Sequence, residues 1–419
     1  MSDIVRSDDL RRQNQRRILA ALRRSGPLSR TELSGVTGLS ASTVTLITAQ
    51  LLERGALAES IGLAPQPGLA NRHVRRGRPK VALMLNPDAA SVGIVLLTLN
   101  QISASVIDYS GAVLIEKSRR LPTMTTGMEA LRLELFEVFA QAIENCPAGT
   151  AVLRNLVIVV QGVTDADARK LLWSPVCALV DLPLADWFAE EFGVQAVVAN
   201  DCNMIAAALR NDDPGRFGGS FAAVLLSHGI GMGLYLKGAI FTGLVSSAAE
   251  FGHMCFELNG AKCRCGRTGC IEAYAGDYAI WRAASGADAG LLPDRDFDLE
   301  TMRALADAAK AGDGPERAAY GEAGRAIGAG LRSLFSLLDP FPVAFAGSGV
   351  LAFELMEPAI REAIGNGAAG VSHWRIPMYR YPDEFSLIRG GALVSALTHV
   401  DNHAFGSSDA IEKRFSHAV

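Results

Sequence analysis

The chain has 419 residues, too many for one small domain, and its composition (49% hydrophobic, 20% charged, 42 glycines) is that of a globular protein. No apolar run reaches the roughly 18 uncharged residues of a membrane span, and charges in the N-terminal dozen residues stand where a secretory signal needs an apolar core. Two or three domains, no membrane and a cytoplasmic location are therefore expected.

The net charge of −4 hides an asymmetry: residues 1–80 carry 14 Lys and Arg against 6 Asp and Glu, and the remainder carries 26 against 38. A basic head on an acidic body is the pattern of a chain whose head meets a polyanion, although a solvated basic helix would read the same by charge alone. In the head, residues 12–24 read as an amphipathic helix with Ile18, Leu19 and Leu22 on one face. Ser29-Arg30-Thr31-Glu32 is a capping-box pattern opening a short helix. Thr37-Gly38-Leu39 predicts a turn, and Ser40 caps a third helix with Val44, Ile47 and Leu51 as its core stripe, closed by Gly55. A short helix, a glycine turn and a longer helix make a helix-turn-helix. Its second helix would present Ser40, Ala41, Ser42, Thr43 and Thr45, with Leu46, to a major groove. These side chains cannot form bidentate arginine–guanine pairs, so methyl contacts and DNA shape are the expected source of specificity. Farther on, Arg76-Gly77-Arg78-Pro79 resembles the minor-groove-reading core of AT-hook peptides. An extended Arg-Gly-Arg can lay two guanidinium groups along a narrow A·T-rich groove; as a plain linker it would add only phosphate affinity.

From residue 91 the chain reads as two strands with a turn at Tyr109-Ser110-Gly111, then a helix over 125–145 and a buried parallel strand at 156–160. Residues 194–210 give a strand, a polar turn at Asn200-Asp201 and a helix. The polar pair suits a helix N-cap on local grounds and is also well placed to accept a hydroxyl hydrogen bond. Glycines at 229, 231 and 233 and the segment 342–350 predict further turns. From His403 the chain reads as a flexible end.

The stretch from Glu250 to Tyr274 packs Cys263, Cys265 and Cys270 into eight residues, with His253 ten residues upstream and Gly260, Gly266 and Gly269 at turns. Three thiolates and an imidazole are a usual ligand set for tetrahedral structural Zn²⁺; three unrelated buried cysteines are the alternative. Gly252-His253 followed by C-x-C-G-x-x-G-C-x-E resembles the zinc signature of the ROK family (repressors, open reading frames and sugar kinases), a likeness covering residues 12–400.

The resemblance implies an α/β protein: a winged helix-turn-helix at 1–82, with the Arg-Gly-Arg segment in its wing, then a two-lobed actin-like, ribonuclease-H-like body with structural zinc. The lobes are expected at 88–205 and 206–400, with the last helix returning to the first. Active kinases of the family carry Asp-x-Gly-Gly-Thr in the opening hairpin. Here Val95, Leu96, Leu97, Thr98 and Leu99 stand in that stretch, with no carboxylate and no glycine, which implies no working ATP site and no enzyme. Asn200-Asp201-x-Asn203 matches a family motif whose aspartate is the general base in the kinase branch, so Asp201 reads as a vestigial base. By the same resemblance Asn200, Asp201, Glu250 and Glu272 contact sugar hydroxyls, and His253 divides its ring nitrogens between zinc and sugar. The 229–233 glycines resemble a second phosphate loop, and 342–350 the turn near adenosine. The sequence departs from the family at Gln161-Gly162 (usually Pro-Gly), at Pro175-Val176-Cys177 (often Pro-Asn-Leu) and at Ala199 (often Glu), which implies a less polar pocket. The expectation is a sugar-responsive transcriptional repressor of carbohydrate genes, bound to a double-stranded operator as a homodimer or dimer of dimers. The competing readings are an ATP-dependent sugar kinase with an appended head and a DNA-binding protein that senses nothing.

Overall fold

The computed structural model describes residues 7–60, 81–247, 249–293, 297–365 and 376–406. In the head, helix α1 (Ser7–Ser25) buries Ile18, Leu19 and Leu22. Strand β1 (Leu28–Ser29) runs into α2 (Arg30–Thr37), where the Ser29 hydroxyl accepts the Glu32 N–H and the Glu32 carboxylate accepts the Ser29 N–H at 2.8 Å. The capping box is thus formed. Gly38, at φ 67°, ends α2, and the Ser40 hydroxyl caps α3 (Ala41–Glu53). The α2 and α3 axes are bent by 117°, within the range of a helix-turn-helix. Strands β2 (Leu57–Ser60) and β3 (Ala82–Leu85) join β1 in an antiparallel sheet of order β1-β3-β2. Residues 61–80, with Arg76, Gly77 and Arg78, connect β2 to β3 and lie outside the described residues.

The first lobe is β4 (Ser91–Thr98), β5 (Gln101–Asp108), β6 (Val113–Arg120), α4 (Met128–Glu144), β7 (Leu153–Val160), β8 (Val163–Thr164), β9 (Leu171–Trp173), α5 (Leu184–Phe192), β10 (Ala196–Asn200) and α6 (Asp201–Asp212). Its main sheet has the order β10-β7-β4-β5-β6, with β10, β7 and β4 parallel and β4-β5-β6 an antiparallel meander. Three strands therefore replace the two expected from residue 91. The missed turn is Leu99-Asn100, where Asn100 takes a φ of 55° that asparagine adopts more readily than most residues. Leu97 is buried in the lobe, and with Leu96 and Thr98 it lines a small apolar-walled cavity beside Asp201.

The second lobe carries β11 (Phe221–Leu226), β12 (Ile230–Leu236), β13 (Ala239–Ile240), α7 (Glu272–Ala275), α8 (Asp277–Ala284), α9 (Leu299–Ala311), α10 (Pro315–Leu338), β14 (Val343–Ala346), α11 (Phe353–Gly365) and β15 (Met378–Tyr381), followed by α12 (Glu384–His403). Its sheet has the order β13-β12-β11-β14-β15. Gly231 and Gly233, expected in a loop, lie within β12. A Cβ on Gly233 would fall 2.1 Å from the Cys202 carbonyl oxygen, so glycine lets α6 rest directly on the strand.

Helix α6 is thus wedged between the lobes, and α12 lies along it so closely that a Cβ on Gly391 would fall 1.9 Å from the Met204 carbonyl oxygen. The far end of α12 reaches the head. Asp401, 3% exposed, accepts two hydrogen bonds from the Arg23 guanidinium at 2.7 and 2.8 Å and a third from the Tyr109 hydroxyl at 2.6 Å. Arg16 donates to the Asn402 side chain, and Gln15 and Arg54 donate to the Phe405 carbonyl. Residues 403–406 are therefore not a flexible end: Phe405 is buried, edge-on to Tyr109 at 5.1 Å. One apolar core runs from Ile18 and Leu51 of the head through Tyr109, Leu397 and Val400 to Ile205 and Leu225.

Gly233→Ala is expected to destabilise the protein by about 1–3 kcal/mol through overpacking against α6. Gly219→Ala, with no atom within 4 Å of the added Cβ, should leave the urea midpoint unchanged.

Candidate functional site

The carboxyl ends of β7 and β10 face the β11–β12 turn across a cleft. Clefts outside the carboxyl ends of parallel strands are where open α/β sheets bind ligands. All five residues expected to contact a ligand line this one cleft: Asn200, Asp201, Glu250, His253 and Glu272.

Each is held by local structure. Asn200 caps α6, accepting the Asn203 N–H at 3.0 Å and donating to the Gly162 carbonyl at 2.9 Å, so the capping reading is correct alongside its place in the cleft. Asp201, 5% exposed, accepts the Cys202 N–H at 2.8 Å, and burial pushes its pKa up to about 6. Glu250 is pushed up to about 7 by burial and by the charges of Asp201 and Glu272. Glu272 lies at the start of α7 and is 2% exposed. It is fixed by the Ile230 N–H at 3.3 Å, the Tyr278 hydroxyl at 3.5 Å and the Cys263 thiol at 3.4 Å. Three carboxylates thus converge on one cavity, an arrangement suited to accepting several hydroxyl hydrogen bonds at once.

Behind Glu272 the ligating atoms of His253, Cys263, Cys265 and Cys270 lie within 4.8 Å of one another and could hold a metal ion. The Cys265 and Cys270 sulfurs are 3.8 Å apart, and His253 Nδ1 is 3.7 Å from Cys263 Sγ. His253 Nε2 faces the other way, 3.9 Å from the Glu250 carboxylate, with Trp173 edge-on to its ring at 5.7 Å. Burial lowers the His253 pKa, which favours the neutral ring a metal needs. Gly269, at φ 74°, sits where a Cβ would be 1.7 Å from the Glu257 carbonyl oxygen. Gly260 has no positive φ; it is small because a Cβ would meet the Tyr274 hydroxyl. The buried Arg282 ties the loop down by donating to the Lys262, Ala273 and Leu291 carbonyls.

Gln161, Trp173, Val176 and Arg264 also line the cleft and were not anticipated as site residues. The sequence did carry a signal for two of them, since Gln161 and Val176 stand at departures from the family pattern. Ala199 does not line the cleft, but Pro175 and Val176 give it the apolar wall expected there.

On the head, Ser40, Ala41, Ser42 and Thr45 are exposed and Thr43 is half-buried. The Ser40 hydroxyl is engaged as the cap, and the Thr45 hydroxyl donates to the Ala41 carbonyl at 2.8 Å. Leu46, 55% exposed on the same helix, adds an apolar contact of the kind that meets a thymine methyl.

Residues 97–374 match the ROK family and residues 11–57 a winged helix-turn-helix DNA-binding family. The chain is 27% identical over 389 residues to the DNA-binding transcriptional dual regulator NagC of Escherichia coli strain K12, covering 92% of this chain and 93% of that protein. It is 28% identical to the xylose repressor of Bacillus subtilis strain 168, covering 67% and 70%. Among solved structures, a ROK family transcriptional regulator described as a homolog of the E. coli MLC protein superposes with a TM-score of 0.70 at 22% identity, over 93% of this chain and 97% of that one. A ROK family glucokinase from Streptomyces griseus, in complex with glucose and AMPPNP, superposes with a TM-score of 0.59 at 23% identity, over 73% and 99%. These two likenesses establish the fold.

The raised Asp201 pKa predicts a stability effect of definite sign. A carboxyl whose folded pKa lies above its unfolded value stabilises the fold fully below the unfolded value, and that contribution is lost as pH rises through the folded one. Between 3.8 and about 6 the difference corresponds to about 3 kcal/mol above pH 7. Asp201→Asn should therefore raise the melting temperature of the ligand-free protein more at about pH 8 than at about pH 5. Equal shifts at both pH values would contradict it.

Proposed function

The chain belongs to the ROK family, and on that premise we propose that it is a sugar-responsive DNA-binding transcriptional repressor. The observation that carries this reading is the continuity between cleft and head. Helix α6 begins at Asp201 in the cleft and packs along α12, whose last turn grips α1 of the head through Asp401 and Arg23. A sugar whose hydroxyls engage Asp201, Glu250, Glu272 and His253 Nε2 would draw the lobes together. Any differential affinity for the closed lobes then biases the position of α12 and of the head it holds. Two heads in a homodimer would read paired half-sites, with Ser40, Ala41, Ser42, Thr43 and Thr45 at base edges and Arg76, Gly77 and Arg78 in the adjoining minor groove.

Zinc fits the Cys/His cluster. A tetrahedral site with Zn–S bonds near 2.3 Å sets two thiolates about 3.8 Å apart, which matches the spacing of Cys265 and Cys270. His253, Cys263, Cys265 and Cys270 would hold the ion and fill its coordination sphere, so its contribution is structural. It would fix His253 Nδ1, leave Nε2 to the ligand, and anchor Glu272 two residues beyond Cys270.

The kinase reading is weaker on this chain's residues. The β4 stretch that would grip phosphate offers Leu96 and Thr98 and no carboxylate. The turn before Gly229 is flanked by two acids: an Asp277 carboxylate oxygen lies 4.0 Å from His228 Nδ1, and the Ser227 hydroxyl donates to Glu384 at 3.2 Å. Carboxylates at that turn repel a polyphosphate rather than cradle it.

Anisotropy titration onto DNA from upstream of the chain's own gene is expected to show tight binding that resists competitor, weakens with salt and shifts with one sugar of a panel including xylose and N-acetylglucosamine. Arg23→Met combined with Asp401→Asn, which removes the buried charge together with its partner, should bind the same DNA with a blunted sugar response. Only weak binding abolished by salt, or ATP turnover dependent on Asp201, would overturn the repressor reading. Separately, metal analysis should give about one zinc per chain. Chelation should lower the melting temperature and remove the sugar response, and a protein indifferent to chelation would refute the clamp.

A further inference from the structure

Of the seven cysteines, Cys255 alone is exposed. Free cysteine is among the most buried residue types, so packing gives no reason for this one. It follows His253 by two residues and stands opposite Cys270 in a short antiparallel bridge. Two backbone hydrogen bonds bracket the pair. The Ile271 N–H donates to the Met254 carbonyl at 3.0 Å, and the Phe256 N–H donates to the Gly269 carbonyl at 2.7 Å. Neither bond joins Cys255 to Cys270 itself, so theirs is a non-hydrogen-bonded antiparallel pair, with Cα atoms about 4.5 Å apart and side chains on one face. A disulfide spans Cα separations of about 4.4–6.8 Å. The main chain therefore already holds these two cysteines at bridging distance.

The two thiols differ in access. Cys270 is 2% exposed, and its sulfur lies 3.8 Å from Cys265 Sγ within the ligand cluster. The Cys255 sulfur is not among the clustered atoms and belongs to an exposed residue. Exposed side chains change rotamer within nanoseconds, so rotation about χ1 is the movement that brings this sulfur to Cys270. An accessible thiol beside a second thiol that can resolve it is the arrangement of redox-sensing cysteines.

We propose that Cys255 and Cys270 are a peroxide-sensitive pair, a modification site whose closure into a disulfide withdraws Cys270 from the metal cluster. The Cys255 sulfur attacks hydrogen peroxide, breaks the O–O bond and becomes a sulfenic acid, with release of one water. The Cys270 sulfur then attacks the Cys255 sulfur; the S–S bond forms, the S–O bond breaks, and the hydroxyl leaves as a second water. Its proton comes from the Cys270 thiol, or from solvent where that sulfur is a metal-bound thiolate. The pair gives up two electrons, and the peroxide is reduced to two waters. Three of the four ligands remain, and Glu272, two residues beyond Cys270, loses its anchor. The pairing goes beyond the repressor reading; only its consequence for sugar sensing rests on that reading and on the zinc clamp.

The test treats the zinc-loaded full chain with a small excess of hydrogen peroxide and follows zinc release with a chromophoric chelator. Digestion with trypsin under non-reducing conditions then locates the disulfide by mass spectrometry, since Lys262, Arg264 and Arg267 place all four cysteines of the segment on separate peptides. The wild type should yield linked Cys255 and Cys270 peptides, release its zinc and lose its sugar response, and reductant with zinc should restore the response. Cys255→Ser should give no such link, release zinc about tenfold or more slowly, and keep the response. A link between Cys265 and Cys270 instead, or zinc release at the same rate from Cys255→Ser, overturns the pairing. If the purified chain holds no zinc, the clamp reading fails, and the peptide map of that protein still decides the pairing. If no sugar shifts DNA binding, the sensor reading fails, and zinc release and the peptide map decide it alone.

Discussion

Asp401 is almost sealed from solvent, and its carboxylate is tolerable there because three donors converge on it. A buried charge without partners is strongly destabilising, and removing one partner of a buried pair exposes that penalty. Arg23 and Tyr109 are thus bound to Asp401 by necessity. Burial alone lowers the Arg23 pKa, but the hydrogen bond and charge of Asp401 more than offset it. Burial, and then the negative charge of Asp401, push the Tyr109 hydroxyl up, so it stays protonated and donating. The three groups belong to the head, the first lobe and α12, so this buried contact, with the Arg16, Gln15 and Arg54 hydrogen bonds beside it, aligns those parts of the molecule.

The parts legible in the sequence are those governed by neighbours in the chain. The Ser29–Glu32 capping box, the Gly38 turn and the Ser40 cap are satisfied within three or four residues, so their chemistry is written locally. The Cys263–Cys270 knuckle is likewise contained in eight residues. Of the structure that depends on distant pairing, little could be read. Nothing near Arg23 announces a partner 378 residues away. Gly231 and Gly233 looked like a loop because their true reason, the Cys202 side chain against Gly231 and the α6 backbone against Gly233, is invisible without the fold. The Leu99-Asn100 turn was hidden for another reason: apolar residues continue up to it, and only the conformational tolerance of Asn100 marks the bend.

The cleft shows how function and stability oppose each other. Burial raises Asp201, and burial with the charges of Asp201 and Glu272 raises Glu250, so gathering these acids in one cleft costs stability that donor groups of the proposed sugar would offset. A site composed mainly of acceptors binds donors tightly because its own groups have so few partners. The same imbalance would make a well-satisfied cavity more stable and less responsive.

The latch on the head is also a matter of chronology. Arg23 emerges from the ribosome 378 residues ahead of Asp401, so the head can complete its own small core long before that latch can close on it. A polypeptide interrupted before residue 401 carries the helix-turn-helix without the carboxylate that ties α1 to α12. Under the mechanism proposed above, control by the cleft is thereby reserved for chains translated through α12, and an earlier stop yields a head without that latch.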